Sequence, residues 1–370
     1  MENKYRLKDK IYITQPFLPP LEEYTELLTQ IWDTKQVTNN GPLNIQFERA
    51  LADYLNVKYI SIVNNATMGL IIAQRALGFS GDIITTPFSF IATAHSIKWN
   101  GLNPVFVDTD RFTGNINPNS FEKAINKSTG GILAVHNYGI PGDLEGLQKI
   151  AMAYSLPLLY DAAPGMGVEY KGKSIFNYGD LSVISFHGTK VFTTFEGGAI
   201  VSRSKEMKKK IDCLRNFSII NQVEVNGIGI NGKMNEAQAA MGLIQLKYLS
   251  DLIEKRKVIY DYYQKKIDDV KGIRMINIPS SVRYNYAYAP VFFSGGKIKR
   301  DSIYYKMQKE NIFCRRYWYP LITNHNIYRN PTIHELTNAK ILSESVLCLP
   351  IYPDLSRTDI NRITKILTDN

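Results

Sequence analysis

The chain has 370 residues, which at roughly 150 residues per domain suggests two domains or one large domain with an appendage. Hydrophobic residues make up 44% and charged residues 21%, which excludes a disordered chain and a small disulfide scaffold. No apolar run approaches the roughly 18 residues of a membrane helix, and the charged start MENKYRLKDK lacks the apolar core of a signal peptide. We therefore expect a cytoplasmic protein without a membrane partner.

The net charge of +10 leaves the kind of partner open. A basic balance suits nucleic acid, an anionic membrane or an anionic small substrate, and a nucleotide-linked substrate fits it equally well. The densest basic cluster, at 205–210, lacks interleaved aromatic residues and is typical of the solvated face of a helix. We expect no nucleic-acid partner.

Neither the cysteines nor the histidines are spaced as metal ligands. The three cysteines form no CxxC pair, and the five histidines show no ligand spacing, so we expect no disulfide framework and no metal site. The residues concerned are Cys213, Cys314, Cys348, His95, His136, His187, His325 and His334.

Apolar, β-branched runs alternate with helical segments from about residue 58 to 202. Strands that are apolar throughout and alternate with helices indicate an α/β fold with a mostly parallel central sheet and helices on both faces. The predicted strands lie at 59–63, 82–87, 103–108, within 130–139, and at 156–161, 181–186 and 197–202. The predicted helices between them lie at 68–77, 89–99 and 143–154.

A second, smaller α+β domain is predicted at the carboxyl end. The segment 234–267 is long and amphipathic and predicts one helix that leaves the first domain. Beyond it, a predicted strand at 288–293 and a predicted helix at 300–310 mix with Pro and Gly punctuation. We place the large domain at 1–250 and the small domain at 251–370.

Polar residues follow three of the predicted strands, where ligands of parallel α/β sheets gather. The segment 64–67 (NNAT) opens a helix, whose N-terminus suits a phosphate, although Asn65 or Thr67 could simply cap the helix. Asp161 ends another strand, where it could also be a structural cap. Lys190 follows a third strand, and desolvation there would make its amine a usable nucleophile or base.

A phosphate cradle, a lysine and an acid at strand ends are what pyridoxal 5'-phosphate requires. The lysine holds the cofactor, and the acid keeps the pyridine nitrogen protonated. Phe90, at the end of another strand, is a candidate to cover the ring, with ordinary core packing as its alternative.

The segment GIGING, at 227–232, is a competing signal. It matches GxGxxG, and Asp251 follows at a spacing close to that of a dinucleotide fingerprint. However, NQVEVN before it is a poor buried strand, and Asp251 falls inside the predicted long helix. A nicotinamide-dependent oxidoreductase is therefore the weaker alternative.

The motifs of this chain appear in a familiar order: NNATMGL, TTPFSFIATA, NPVFVDTD, VHNYG, DAAPG, SFHGTK, EGGAIVS, LRNFS, NGKMNEAQAAMGLIQL and LPIYPDL. From NNGPLNIQFE onward, the chain resembles the DegT-type sugar aminotransferases, which have the type I, aspartate-aminotransferase-like fold. The segments SFHGTKVFTTFEGG and RRYWYPL resemble those of members that aminate dTDP-4-keto-6-deoxyglucose.

The resemblance implies a transamination with L-glutamate as amino donor and a nucleotide-linked keto sugar as acceptor. It also implies a homodimer with shared active sites and a role in surface polysaccharide synthesis, such as that of O-antigen. Lys190 would hold the cofactor and shuttle a proton, Asp161 would pair with the pyridine nitrogen, and Phe90 would stack on the ring. The expected phosphate ligands are Ala66, Thr67, Ser185 and, from the neighbouring subunit, Asn231.

The substrate contacts are open. His187, Arg315, Arg316 and Tyr317 are candidates, with a solvated or structural role as the alternative. Pro164 stands where the family often has Gln or His on the cofactor's ring oxygen, and proline offers no polar side-chain group. Lys190 argues against relatives that carry histidine there and catalyse a dehydration. A 3-keto-sugar aminotransferase and a non-catalytic binding protein on the same fold remain the alternatives.

Overall fold

The computed structural model describes residues 10–329 and 335–369. The expectations on the first nine residues and on His334 fall outside these ranges. Within them, the strands are β1 (Ile11–Tyr12), β2 (Tyr59–Val63), β3 (Asp82–Thr85), β4 (Asn103–Phe106), β5 (Thr129–Val135), β6 (Leu158–Asp161), β7 (Glu169–Tyr170), β8 (Lys173–Ser174), β9 (Leu181–Ser185), β10 (Gly198–Ser202), β11 (Ile273–Met275), β12 (Val282–Arg283), β13 (Ala289–Phe293), β14 (Ile312–Phe313) and β15 (Val346–Leu349).

The helices connect these strands and cover their faces. They are α1 (Leu21–Thr34), α2 (Pro42–Leu55), α3 (Ala66–Leu77), α4 (Ile91–Trp99), α5 (Pro118–Glu122), α6 (Leu144–Ala153), α7 (Lys205–Leu214), α8 (Glu236–Ile267), α9 (Gly296–Lys309), α10 (Thr337–Ser345) and α11 (Arg357–Thr368). Short 3₁₀ turns lie at Asn137–Gly139, Ile175–Asn177, Ile322–Asn324 and Asn326–Tyr328.

A sheet of seven strands forms the centre of the described fold, in the order β2-β10-β9-β6-β5-β3-β4. The pairs β3/β4, β3/β5, β5/β6 and β6/β9 are parallel, whereas β10 runs antiparallel to both of its neighbours. Helices α2 and α8 pack on one face, and α3 and α7 on the other. The α/β fold with a mostly parallel central sheet is confirmed.

The sequence explains why helices begin where the site needs them. The Asn65 side chain caps α3 by accepting a hydrogen bond from the Met68 N–H at 2.9 Å. Helix α8 begins with a capping box, in which Asn235 and Gln238 each accept from the other's backbone N–H. In α8, Gly242 admits the Phe47 ring of α2, because a Cβ there would overlap that ring.

The basic cluster at 205–210 lies at the start of α7. Lys205, Lys209 and Lys210 are exposed, as expected for a solvated helix face. Lys208 differs, because its Nζ lies 2.9 Å from Glu48 of α2 and 3.0 Å from Asp212. One lysine of the cluster therefore joins two helices.

The carboxyl-terminal part forms the smaller α+β unit. Strands β11, β13 and β15 form an antiparallel sheet, against which α9 and α10 pack. Helix α8 contacts α1 and α2 near its start and β11 and α11 further on, so it belongs to both units. The expected boundary at 250/251 falls inside this helix and stays a prediction. Strand β1, near the start of the chain, pairs with β14 of the small unit.

Across the described ranges, no helix is long and apolar enough to cross a bilayer. In the same part of the chain, no group of three or more His, Cys, Asp or Glu residues is placed to hold a metal ion. The GIGING segment lies in a partly exposed stretch before α8 and follows helix α7 instead of a strand of the central sheet. Asp251 is exposed within α8. The dinucleotide alternative therefore has no structural support.

Candidate active site

One cavity of about 330 Å³ opens at the carboxyl ends of the parallel strands. Its walls come from the start of α3, the turn before α4, the ends of β5, β6 and β9, and the small unit. The lining residues are Asn65, Ala66, Thr67, Leu70, Ser89, Phe90, Ala92, Val135, His136, Asn137, Tyr138, Asp161, Ala163, Pro164, Ser185, His187, Thr189, Lys190, Glu196, Tyr288, Tyr317 and Trp318.

Lys190 reaches this cavity from the loop that follows β9. Its backbone N–H donates to the His187 carbonyl at 2.9 Å, which forms a turn directly after the strand. Its amine donates to the Tyr288 hydroxyl at 3.2 Å. The turn and this one hydrogen bond aim the amine into the cavity.

Asp161 is the buried acid of the site, at the end of β6. Its carboxylate accepts from the Thr93 hydroxyl at 2.7 Å and from the Ala163 N–H at 3.2 Å. Burial raises the pKa of Asp161, and the two hydrogen bonds and the charge of Lys190 oppose that rise. The acid and the amine line the same cavity from neighbouring strands β6 and β9.

The start of α3 offers an anion site beside them. The first N–H groups of an α-helix have no partner within the helix, and the helix dipole adds a positive end. Ala66 and Thr67 occupy this first turn and line the cavity, as does Ser185 at the end of β9. Helix N–H groups for a phosphate, a buried carboxylate for a pyridinium and an amine for an aldehyde fit pyridoxal phosphate.

Aromatic side chains form the remaining wall. Phe90 is 56% exposed, so core packing does not explain it, and its ring centre lies 5.8 Å from that of Trp318. Tyr317 also lines the cavity. His187 lies at the rim, with Nδ1 2.8 Å from the Thr189 hydroxyl and Nε2 3.5 Å from a Glu196 carboxylate oxygen.

Three expected site residues are not among those that line the cavity. Arg316 instead donates to Asp301 at 2.9 Å and lies over the Tyr304 ring, within the small unit. Arg315 is exposed beside it. Asn231 is exposed in the segment before α8, and its expected contact with a neighbouring subunit stays a prediction.

Pro164 does line the cavity. Its carbonyl accepts from the Asn285 side chain at 2.7 Å. Its ring brings no polar atom into the site, so it could not provide the contact to the cofactor's ring oxygen that Gln or His often makes in the family.

Several residues of the site escaped the sequence reasoning. Thr93 lies three residues after Phe90 in a helix, and that helical spacing was the signal that could have found it. Tyr288 and Trp318 belong to the small unit, and no pattern in the sequence around them predicts that they lie close to Lys190. Trp318 donates from Nε1 to the Asn137 side-chain oxygen at 2.9 Å.

The fold and this set of groups define the class of pyridoxal-phosphate-dependent transferases with the type I fold. Residues 21–368 match the model of the DegT/DnrJ/EryC1/StrS aminotransferase family, and the chain belongs to that family. It is therefore a pyridoxal-phosphate-dependent aminotransferase.

Similar proteins span the whole chain. A dTDP-4-amino-4,6-dideoxy-D-glucose transaminase of Shigella dysenteriae is 45% identical over 98% of this chain and 100% of its own length. An Escherichia coli protein of the same name is 42% identical over 98% of this chain and 99% of its own. The crystal structure of DesI in the presence of its TDP-sugar product superposes with a TM-score of 0.93 at 30% identity, over 97% of this chain and 92% of that one.

Proposed function

We propose that this enzyme transfers the amino group of L-glutamate to C4 of dTDP-4-keto-6-deoxyglucose, giving dTDP-4-amino-4,6-dideoxyglucose. The observation that carries the chemistry is that Lys190 and the buried Asp161 line one cavity beside the N-terminus of α3. The name and full-length similarity of the Shigella and Escherichia relatives support the substrate. A net charge of +10 suits a substrate with two phosphates.

Pyridoxal phosphate, when bound, supplies an aldehyde that takes up the amino group and a ring that withdraws electrons from the reacting carbon. Ala66, Thr67 and Ser185 would hold its phosphate, and Phe90 would cover its ring. Asp161 would keep the ring nitrogen protonated.

Lys190 would hold the cofactor through its amine. Once displaced by an incoming amino group, the same amine would take a proton from the amino-bearing carbon of glutamate as general base and deliver it to the former aldehyde carbon of the cofactor as general acid, and it would move a proton in the opposite direction when the sugar is aminated. Tyr288 holds the free amine within the cavity between these tasks. Phe90 and Trp318 line the cavity side by side, and their rings would limit the access of water to a bound substrate.

The proposal includes a homodimer in the cytoplasm, with Asn231 reaching the cofactor phosphate of the partner. The homodimer is supported by a loop before α8 that exposes apolar side chains, because exposed apolar patches mark interaction sites. We call it the apolar loop; its exposed apolar members are Phe217, Ile219, Ile220, Val223, Val225 and Ile228.

Product identification tests the reaction. We expect the purified enzyme, given L-glutamate and dTDP-4-keto-6-deoxyglucose, to form the 4-amino sugar, identified by mass and NMR. A dTDP-linked 3-keto sugar and UDP- and GDP-linked 4-keto sugars serve as competing substrates. Product from the 3-keto sugar alone would contradict the assignment of the ring carbon, and no product from any of them would contradict the proposal.

Lys190→Ala should abolish turnover, because no other amine lines the cavity among the described residues. Lys255→Ala is the control, since Lys255 is exposed and pairs with Asp251 on α8. We expect that control to keep the wild-type rate. Normal turnover in Lys190→Ala would refute the role of the amine.

A further inference from the structure

Two buried hydroxyl groups, those of Thr93 and Ser89, form a chain of hydrogen bonds that ends on Asp161. The Thr93 hydroxyl donates to Oδ2 of Asp161 at 2.7 Å, and the Ser89 hydroxyl lies 2.7 Å from the Thr93 oxygen. Thr93 is fully buried and Ser89 nearly so. Thr93 is not among the residues that line the cavity, whereas Ser89 is, so Thr93 would act on a bound cofactor through Asp161.

The chemistry of the acid sets the direction of both hydrogen bonds. An ionised carboxylate only accepts, so the Thr93 hydroxyl must donate to Asp161. The Thr93 oxygen is then free to accept, and the Ser89 hydroxyl donates to it. Both protons therefore point toward the carboxylate, an arrangement that stabilises its charged form.

The backbone of Thr93 is held in turn by α3. Its carbonyl accepts from the Ser96 hydroxyl at 2.8 Å, and Ser96 accepts from the Gln74 side chain of α3 at 2.8 Å. All of these groups are buried. Helix α4, which carries the donor to the acid, is thereby fastened to α3, whose N-terminus forms the anion site.

We propose that Thr93, supported by Ser89, is a positioning residue that keeps Asp161 ionised and aimed at the pyridine nitrogen of the cofactor. The inference rests on the proposed pairing of Asp161 with that nitrogen. Without such donors a buried carboxyl group favours its neutral form, and a neutral acid holds a protonated ring nitrogen less well.

Three other titratable groups on the elements around Asp161 each have a defined environment. Lys190, in the loop after β9, lowers the pKa of the acid through its charge. His136, at the end of β5, is buried against the Tyr160 ring and neutral, since burial lowers its pKa to about 3. His95, on α4, lies 2.8 Å from the Tyr328 hydroxyl.

The test compares two substitutions of the same kind. Thr93→Val keeps the shape and removes the donor. Thr85→Val is the matched control, because Thr85 is equally buried and its hydroxyl has no partner in the described part of the chain. We expect Thr93→Val to raise the dissociation constant of pyridoxal phosphate about tenfold, the effect of one hydrogen bond to a charged group. Thr85→Val should leave it unchanged.

Further readouts separate positioning from general damage to the fold. Thr93→Ser restores the donor and should return the affinity to near the wild-type value. In Thr93→Val, the pH dependence of the bound cofactor's absorption should shift and kcat should fall, whereas KM for glutamate should change little. Ser89→Ala should weaken cofactor binding in the same direction but less. Equal cofactor affinity and spectra in Thr93→Val and Thr85→Val would overturn the inference.

Asp161→Asn distinguishes this inference from the proposed function. If Asp161→Asn binds and titrates the cofactor as the wild type does, the pairing of the acid with the ring nitrogen fails. If Asp161→Asn is impaired and Thr93→Val is not, only the role of Thr93 fails. If Thr93→Val does not fold, Thr93→Ser and Ser89→Ala provide the test. Wild-type affinity for pyridoxal phosphate in Ser89→Ala, together with a loss of that affinity in Thr93→Ser, would contradict the ordered pair of donors.

Discussion

At the residue scale, the buried titratable residues Asp161 and His136 are neighbours, but the surroundings of Asp161 favour its charged form and those of His136 its neutral form. The His136 N–H donates to the Asp161 carbonyl at 3.0 Å, so their backbones adjoin at the ends of β5 and β6. Asp161 receives hydrogen bonds that favour its charge. The His136 ring stacks on Tyr160 at 4.4 Å, and among the described residues its Nε2 has no partner. Burial therefore holds His136 neutral.

This difference predicts a loss of stability in acid. Burial lowers the pKa of His136 from 6.5 to about 3 in the folded chain, whereas the unfolded chain takes up this proton near pH 6.5. Stability is fully present above pH 6.5 and is lost as the pH falls toward 3, by at most about 1.4 kcal/mol per pH unit. His136→Phe should keep the stacking on Tyr160 and flatten the dependence of unfolding free energy on pH between 7 and 5.

Urea unfolding at pH 7, 6 and 5 measures this effect. The exposed His325 provides the control, since His325→Gln should retain the wild-type slope. An unchanged slope in His136→Phe would show that other groups account for the acid sensitivity.

At the scale of elements, the start of α8 also caps α2. Glu236 is buried, and its carboxylate accepts from the backbone N–H groups of Leu43 at 2.8 Å and Asn44 at 3.0 Å. A negative charge at a helix N-terminus accepts hydrogen bonds from the backbone N–H groups that have no partner within the helix, and it interacts favourably with the positive end of the helix dipole. Gly41 leaves room for it, because a Cβ there would lie 2.6 Å from the carboxyl carbon. One side chain thus joins two helices that cover the same face of the sheet.

Glu236→Gln should lower the free energy of unfolding by about 2 kcal/mol, because the charge is lost and one acceptor becomes a donor that faces other donors. Thermal and urea unfolding measure it. Glu254→Gln on the same helix is the control, since Glu254 is exposed and its nearest lysine lies 4.0 Å away. Equal stability of the two variants would contradict a capping role.

At the scale of the whole molecule, the two units are joined across the cavity. The Tyr138 hydroxyl donates to the Tyr317 carbonyl at 2.6 Å, and Trp318 donates to Asn137. The small unit thereby contributes Tyr288, Tyr317 and Trp318 to the wall of a site whose charged groups come from the large one. A proposed second copy would complete this site at the apolar loop.

Replacement of an apolar side chain by a charge tests that assembly. Ile228, in the apolar loop, and Ile298, on α9, are 86% and 87% exposed. We expect Ile228→Asp to shift sedimentation toward the monomer and to lower activity, because the interface would have to bury a charge. Ile298→Asp should change neither. A wild-type oligomer and activity in Ile228→Asp would exclude this loop from the interface.

The amino-acid sequence by itself determined the central sheet and the charged centre of the site. Apolar runs such as 59–63, 156–161 and 181–186 must be buried on both faces, and parallel strands bring their carboxyl ends to one edge. Asp161 and Lys190 follow two of these runs, so their meeting in one cavity could be predicted. The helix whose N-terminus offers the candidate anion site could also be predicted, since Asn65 is a capping residue type directly ahead of an apolar helical run.

Only the tertiary structure decided which residues surround that centre. It brought Thr93 to Asp161 and Tyr288 to Lys190, and it turned Arg316 toward Asp301. These contacts depend on how α4 and the small unit pack against the central sheet. Local periodicity shows which face of an element is buried but carries no information about which distant side chain it will meet.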